Sequence, residues 1–265
     1  MNKKSLYFGI VAFVVAMSLV FTACKDEDED KKDETAPTLP ATQTLSVTAS
    51  TVTDSGFTVT WAKASDDVTT AANLKYFVYT KTSSFNSSTV AVIKTGVLAN
   101  SGGTKDIAQL AITGLNANTD YWYAVIVADE AGNESAYTVS STAQKTTKAT
   151  IAWTGAFTET TGTDNEGKVT GKVIATLSAG ATFADAAATL TTGYTVSGTA
   201  IPEGLTLVAT KVNNTVEFTL TGTATTHNAN VTGITIAFTA AAFTSAGNVD
   251  DATKTKNDIG IDFTA

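Results

Sequence analysis

The chain has 265 residues and a formal net charge of −8, and its 17 basic residues are all lysine. With no arginine there is no bidentate fork for phosphate or guanine, and an acidic body repels a polyanion, so nucleic acid is a poor partner. Cys24 and His227 are the only residues of their kinds, which argues against disulfide scaffolds, thiol catalysis and His/Cys metal cages, while 52 threonines favour strands over helices.

Asn2-Lys3-Lys4 is a short basic run, and Ser5 to Phe21 is uncharged and largely apolar, the pattern of a secretory signal over residues 1–23. The stretch ends Phe21-Thr22-Ala23-Cys24, which resembles a bacterial lipobox, with Phe21 where leucine is usual. That resemblance implies that Cys24 is diacylated on sulfur, becomes the mature N-terminus and anchors the chain to a membrane. An uncleaved anchor is the competing reading, since Ser5 to Ala23 just reaches the roughly 20 residues of a bilayer crossing. The placement of the sole cysteine where the apolar run ends favours lipidation.

Lys25 to Glu34 holds seven acids, three lysines and no apolar residue. It buries nothing and reads, with the Pro37/Pro40 joint, as a solvated tether over residues 24–40. Lys25 followed by Asp26, Glu27, Asp28, Glu29 and Asp30 resembles the surface-export signal of Bacteroidetes lipoproteins. The implied location is the outer membrane, lipid-anchored and facing the cell exterior.

From Thr42 to Lys145, short β-type runs alternate with turn clusters at the spacing of a sandwich, which sets a first domain at 41–147. Phe57-Thr-Val-Thr-Trp61 alternates with its apolar residues on one face. Tyr76-Phe-Val-Tyr-Thr80 follows a polar loop, and Leu115-x-x-x-Thr119-x-Tyr121 runs into Trp122-Tyr-Ala-Val125-Ile-Val127. These residues resemble the fibronectin type III module, with Trp61 its buried tryptophan and Leu115, Thr119 and Tyr121 its tyrosine corner. In that corner the Tyr121 hydroxyl is expected to bond back to the main chain. The family's proline in that run is Ala117 here, which is expected to loosen the corner.

Alternation has a further consequence. With Tyr76, Val78, Tyr121, Tyr123 and Val125 inward, Phe77, Tyr79, Trp122 and Ile126 point outward on neighbouring strands and form a candidate binding patch, unless a loop or the second domain covers it.

After the polar joint Gln144 to Ala149, a second domain at 148–265 resumes strand-like runs at Ile151–Thr158, Lys168–Leu177, Leu205–Thr210, Thr215–Gly222, Ile234–Thr239 and Ile259–Phe263. Asn213-Asn214 suits the turn of a hairpin, and Phe183 to Leu190 reads as a helical turn or a loop. Ile201-Pro-Glu-Gly-Leu205, Leu220 to His227 and Asp258 to Phe263 resemble the immunoglobulin-like repeats of modular bacterial surface proteins. The expected fold is all-β, two tandem β-sandwiches, fibronectin type III and then immunoglobulin-like.

Chemistry has few places to sit. His227 lies in the polar loop Thr225-Thr-His-Asn-Ala-Asn230 and reads as a solvated side chain. The acid pairs Asp66/Asp67, Asp129/Glu130, Asp164/Glu166 and Asp250/Asp251 fall in loops, where such residues make turns; a glycosidase would need two carboxyls flanking one bond. Asp164-Asn165-Glu166-Gly167 has the composition, but no recognised spacing, of a calcium loop. No enzyme, cofactor or metal site is expected, calcium being the one ion these oxygens suit. The expected partners are the membrane and a carbohydrate or protein ligand at the surface, in adhesion or capture. The alternative is a structural spacer or accessory subunit of an outer-membrane complex, and a small glycan hydrolase ranks behind both.

Overall fold

The computed structural model describes residues 32–159, 167–184 and 188–263. Two compact units divide the chain, 1–34 and 35–265, and the architecture below is that of the second. It is nearly all β, with several sheets, as in β-sandwich folds.

In the first half, β1 (Ser46–Val47), β2 (Phe57–Thr60) and β6 (Gln109–Ile112) form a three-stranded sheet in the order β1-β2-β6. A second sheet runs β4 (Val97–Leu98), β3 (Lys75–Lys81), β7 (Asp120–Ala128), β8 (Glu134–Ala136). Here β5 (Thr104–Lys105) pairs with β3, and β9 (Gln144–Lys145) pairs with β7. Between β3 and β4 lies a single turn of helix, α1 (Val90–Ile93).

One core joins the two sheets. Phe57, Val59, Trp61 and Ile112 meet Tyr76, Val78, Tyr121, Tyr123, Val125 and Val127. Removing each large side chain from water contributes about 1.5–3 kcal/mol, and the ring packing gives the core its shape. The Trp61 and Tyr76 rings are 5.7 Å apart, and Phe57 meets Tyr123 edge-on at 5.8 Å. Buried hydroxyls find partners: Tyr137 donates to Ala62 O at 2.6 Å, and Tyr76 accepts from Ala64 N at 2.9 Å. Burial pushes both hydroxyls above the ordinary tyrosine pKa, so they serve as core groups and not as acids.

In the second half, eight strands follow the order β12-β14-β15-β11-β10-β17-β16-β13. They are β10 (Ile151–Thr158), β11 (Lys172–Leu177), β12 (Thr189–Leu190), β13 (Tyr194–Gly198), β14 (Leu205–Val212), β15 (Thr215–Gly222), β16 (Val231–Phe238) and β17 (Thr255–Asp262). β10 changes partner along its length. Residues 151–156 pair antiparallel with β11, whereas Phe157 and Thr158 pair parallel with β17. Gly155 stands at this transition with φ of 80°, and a Cβ there would lie 2.1 Å from Lys172 O, so only glycine lets the strands approach.

The core of this half contains Phe157, Val173, Phe183, Phe218, Ile234, Phe238, Phe243 and Ile261. Trp153 stacks on Phe238 at 5.4 Å and donates its indole N–H to Thr253 O at 2.8 Å. The hairpin turn between β14 and β15 falls at Asn213-Asn214, with Asn213 at φ 55°. Phe183 to Leu190, expected as a helical turn or loop, contributes a bridge from Phe183 to Phe243 and the short strand β12, with residues 185–187 outside the described set.

The halves meet at a close junction. Ala117 N donates to Gly180 O at 2.8 Å, Gly180 N donates to Asp54 Oδ2 at 3.0 Å, and Asn118 Nδ2 donates to Gly247 O at 3.2 Å. The Ala117 side chain is fully buried and belongs to the core of the second half. A proline here would have no N–H to give, so the junction needs another residue at this position.

Candidate functional site

Four of the candidate regions from the sequence lie wholly or partly among the described residues. The first is the outer face of β3 and β7. Phe77, Tyr79, Trp122 and Ile126 do lie together there, as alternation requires, but the face is not open. Tyr79 is 7% exposed and Ile126 0%, because Phe85 and Ile93 close over them. Phe77 lies under Gly103, where a Cβ would stand 2.6 Å from its ring. Lys94 reaches across from the end of α1 to Glu134 at 2.6 Å and holds the cover down. The expected exposed patch is therefore a second, smaller core, covered by the 82–103 connection. Phe85, Val90, Val92, Ile93 and Leu98 in that connection are the signal for it, an apolar density that a loop in water would not carry.

The second region is the corner. Asn116 N donates to the Tyr121 hydroxyl at 3.0 Å, Thr119 Oγ1 donates to Ala117 O at 2.8 Å, and Leu115 packs against the first core. Both bonds are made with Ala117 in place.

The third is the acid pairs. Asp66 accepts from the N–H groups of Val68 and Thr69 at 3.2 and 2.8 Å. Asp129, buried, accepts from Asn133 N and Nδ2, both at 2.8 Å. Asp250 caps a short 3-10 turn through Ala252 N, and Asp251 pairs with Lys254 at 2.6 Å, whose hydrogen bond and charge hold the Asp251 carboxyl below its ordinary pKa. Each of these carboxylates shapes a turn. Asp164, Asn165 and Glu166 lie outside the described residues, as do Cys24 and Lys25 to Asp30.

The fourth is His227. Its Nδ1 stands 3.3 Å from Oε1 of Glu159, a residue that sequence reasoning passed over. Glu159 follows β10 on the core-facing phase set by Ile151, Trp153 and Phe157, and its side chain is fully buried. A glutamate at an inward position of an alternating strand was the available signal.

Two grooves with polar linings lie among the described residues. One of about 540 Å³ runs between Ala41–Leu45 and Thr138–Ser141, lined by the hydroxyls of Thr42, Thr44, Thr138 and Ser140. The other, about 460 Å³, lies at the junction between Asn116, Thr119, Thr182 and Ser245. Among the described residues no helix is long and apolar enough to cross a membrane. Compared with protein-family models and with curated proteins, the chain matches none.

Proposed function

We propose that this protein is a bacterial envelope lipoprotein, held at the outer membrane by acyl groups on Cys24 and carried to the cell exterior by the acidic run Lys25–Asp30. In this reading it presents a fibronectin type III-like module (41–147) and an immunoglobulin-like module (148–265) as a stiff spacer that docks other envelope components. The order β1-β2-β6 against β4-β3-β7-β8, with Trp61 buried and the Tyr121 hydroxyl bonded to Asn116, supports the first assignment. The observation that carries the spacer role is the junction. Three hydrogen bonds and a buried Ala117 join the halves, and the aromatic face that would have served a ligand is covered. Turnover has no part in this reading.

A second reading, capture of a glycan or an extended peptide, is favoured by the hydroxyl-lined groove along Ala41–Leu45 and Thr138–Ser141. Protease shaving of intact cells, with periplasmic controls, tests the location: the modules are expected to be clipped without lysis, and survival until lysis overturns outward display. Cross-linking in intact cells is expected to recover an envelope partner, with no saturable binding in glycan and matrix screens. Saturable binding that Thr44→Ala and Ser140→Ala abolish moves the conclusion to capture.

A further inference from the structure

The buried Glu159 carries a polar atom that the fold leaves without a partner. Its residue is 3% exposed, and Oε2 has no hydrogen-bond partner among the described residues. Oε1 accepts from Gly167 N at 2.9 Å and faces His227 Nδ1 at 3.3 Å. A buried carboxylate with an idle oxygen is costly unless a cation or donor meets it.

The 3.3 Å between Oε1 and Nδ1 suits a long hydrogen bond or a shared ion alike, so it is the unpartnered Oε2, and not the spacing, that calls for a cation. An N–H to O hydrogen bond is best near 2.9–3.0 Å, and two ligands each about 2.0–2.2 Å from one tetrahedral metal stand about 3.3–3.5 Å apart. The imidazole is also held in place. Gly167, at φ 76°, lies so close that a Cβ there would be 3.0 Å from the His227 ring, and the Phe263 ring centre is 6.2 Å away. The His227 side chain is 36% exposed, which leaves an entry path from solvent.

We propose that Glu159 and His227 form a binding site for a divalent transition-metal ion of the zinc class, its remaining positions filled by water. Imidazole with carboxylate selects zinc-like ions over calcium and magnesium, which take oxygen. A bound ion would tie the end of β10 to the connection between β15 and β16.

The test uses the full-length chain in detergent, without an added histidine tag, and zinc chloride as the probe. Because His227 is the only imidazole in the chain, its ring resonances report the site directly. Expected are saturable shifts of those resonances and a melting temperature raised by roughly 5–10 °C at a hundredfold excess over Kd. His227→Ala is expected to remove the thermal response. Glu159→Gln keeps an acceptor for Gly167 N but removes the charge, and is expected to weaken zinc by tenfold or more. Ring resonances unmoved by millimolar zinc overturn the proposal, as does a thermal shift that survives His227→Ala, or equal affinity in Glu159→Gln.

Discussion

Two sheet faces in this protein obey the same alternation and meet opposite fates. On β3 and β7 the residues turned away from the main core are Phe77, Tyr79, Trp122 and Ile126, and the chain spends the connection from residue 82 to 103 covering them. On β14 and β15 the corresponding residues are Thr206, Val208, Thr210, Glu217, Thr219 and Thr221, and they stay partly or wholly exposed. Inward neighbours on both sheets are equally apolar, with Val78 and Val125 in one half and Val216 and Phe218 in the other all at 0% exposure. The difference is the chemistry of the outer residue alone. An apolar outer face predicts a cover elsewhere in the sequence, whereas a threonine face predicts none, since hydroxyls can be satisfied in the open, as Thr221 Oγ1 is by Thr206 O at 3.3 Å.

The largest effect in this comparison should come from opening the cover. Ile93 is fully buried over Tyr79 and Ile126, so Ile93→Ala is expected to destabilise the protein by about 2–5 kcal/mol in denaturant unfolding. A loss under about 1 kcal/mol would mean that the cover is an ornament on a face stable without it.

Next comes Gly155, which lets β10 pass from β11 to β17 in the sheet whose β14–β15 face is uncovered. Alanine there meets Lys172 O and must hold φ near 80°, and a cost on the order of 1–3 kcal/mol is expected in the same assay. Lys94→Ala, which cuts the tie between the cover and Glu134, is expected to cost only about 0.5 kcal/mol, because both side chains are partly in water. That loss should shrink further in high salt.

What could be read beforehand divides along physical lines. The all-β class, the bounds of β10 and the turn at Asn213-Asn214 follow from local alternation and turn chemistry, which the sequence carries directly. The burial of Trp61 and the bond from Asn116 N to the Tyr121 hydroxyl were legible because those residue types stand at offsets that resemble a known module. The covered patch was half legible. Alternation put Phe77, Tyr79, Trp122 and Ile126 on one face, but whether the face is open depends on a connection with no strand period, and α1 is too short to leave a helical one. Strands β12 and β13 escaped notice because the first is two residues long and the second is exposed along most of its length, with no apolar stripe. The Glu159–His227 pair joins residues far apart in the chain, and no local pattern announces such a meeting.

The smallest expected effect is the sharpest test of the comparison. Thr219 on β15 sits opposite Val208 on β14, partly exposed, and valine has nearly its shape and a good strand propensity. On a face that needs no cover, Thr219→Val should leave stability within about 0.5 kcal/mol, since the residue is partly exposed, so losing the hydroxyl strands no buried group and the methyl it adds stays partly wet. Proton exchange of the flanking amides should be equally unchanged. If the substitution instead raised stability by more than about 1 kcal/mol, Thr219 would be resting against something apolar, and the threonine face would be another covered surface rather than the open counterpart of β3 and β7.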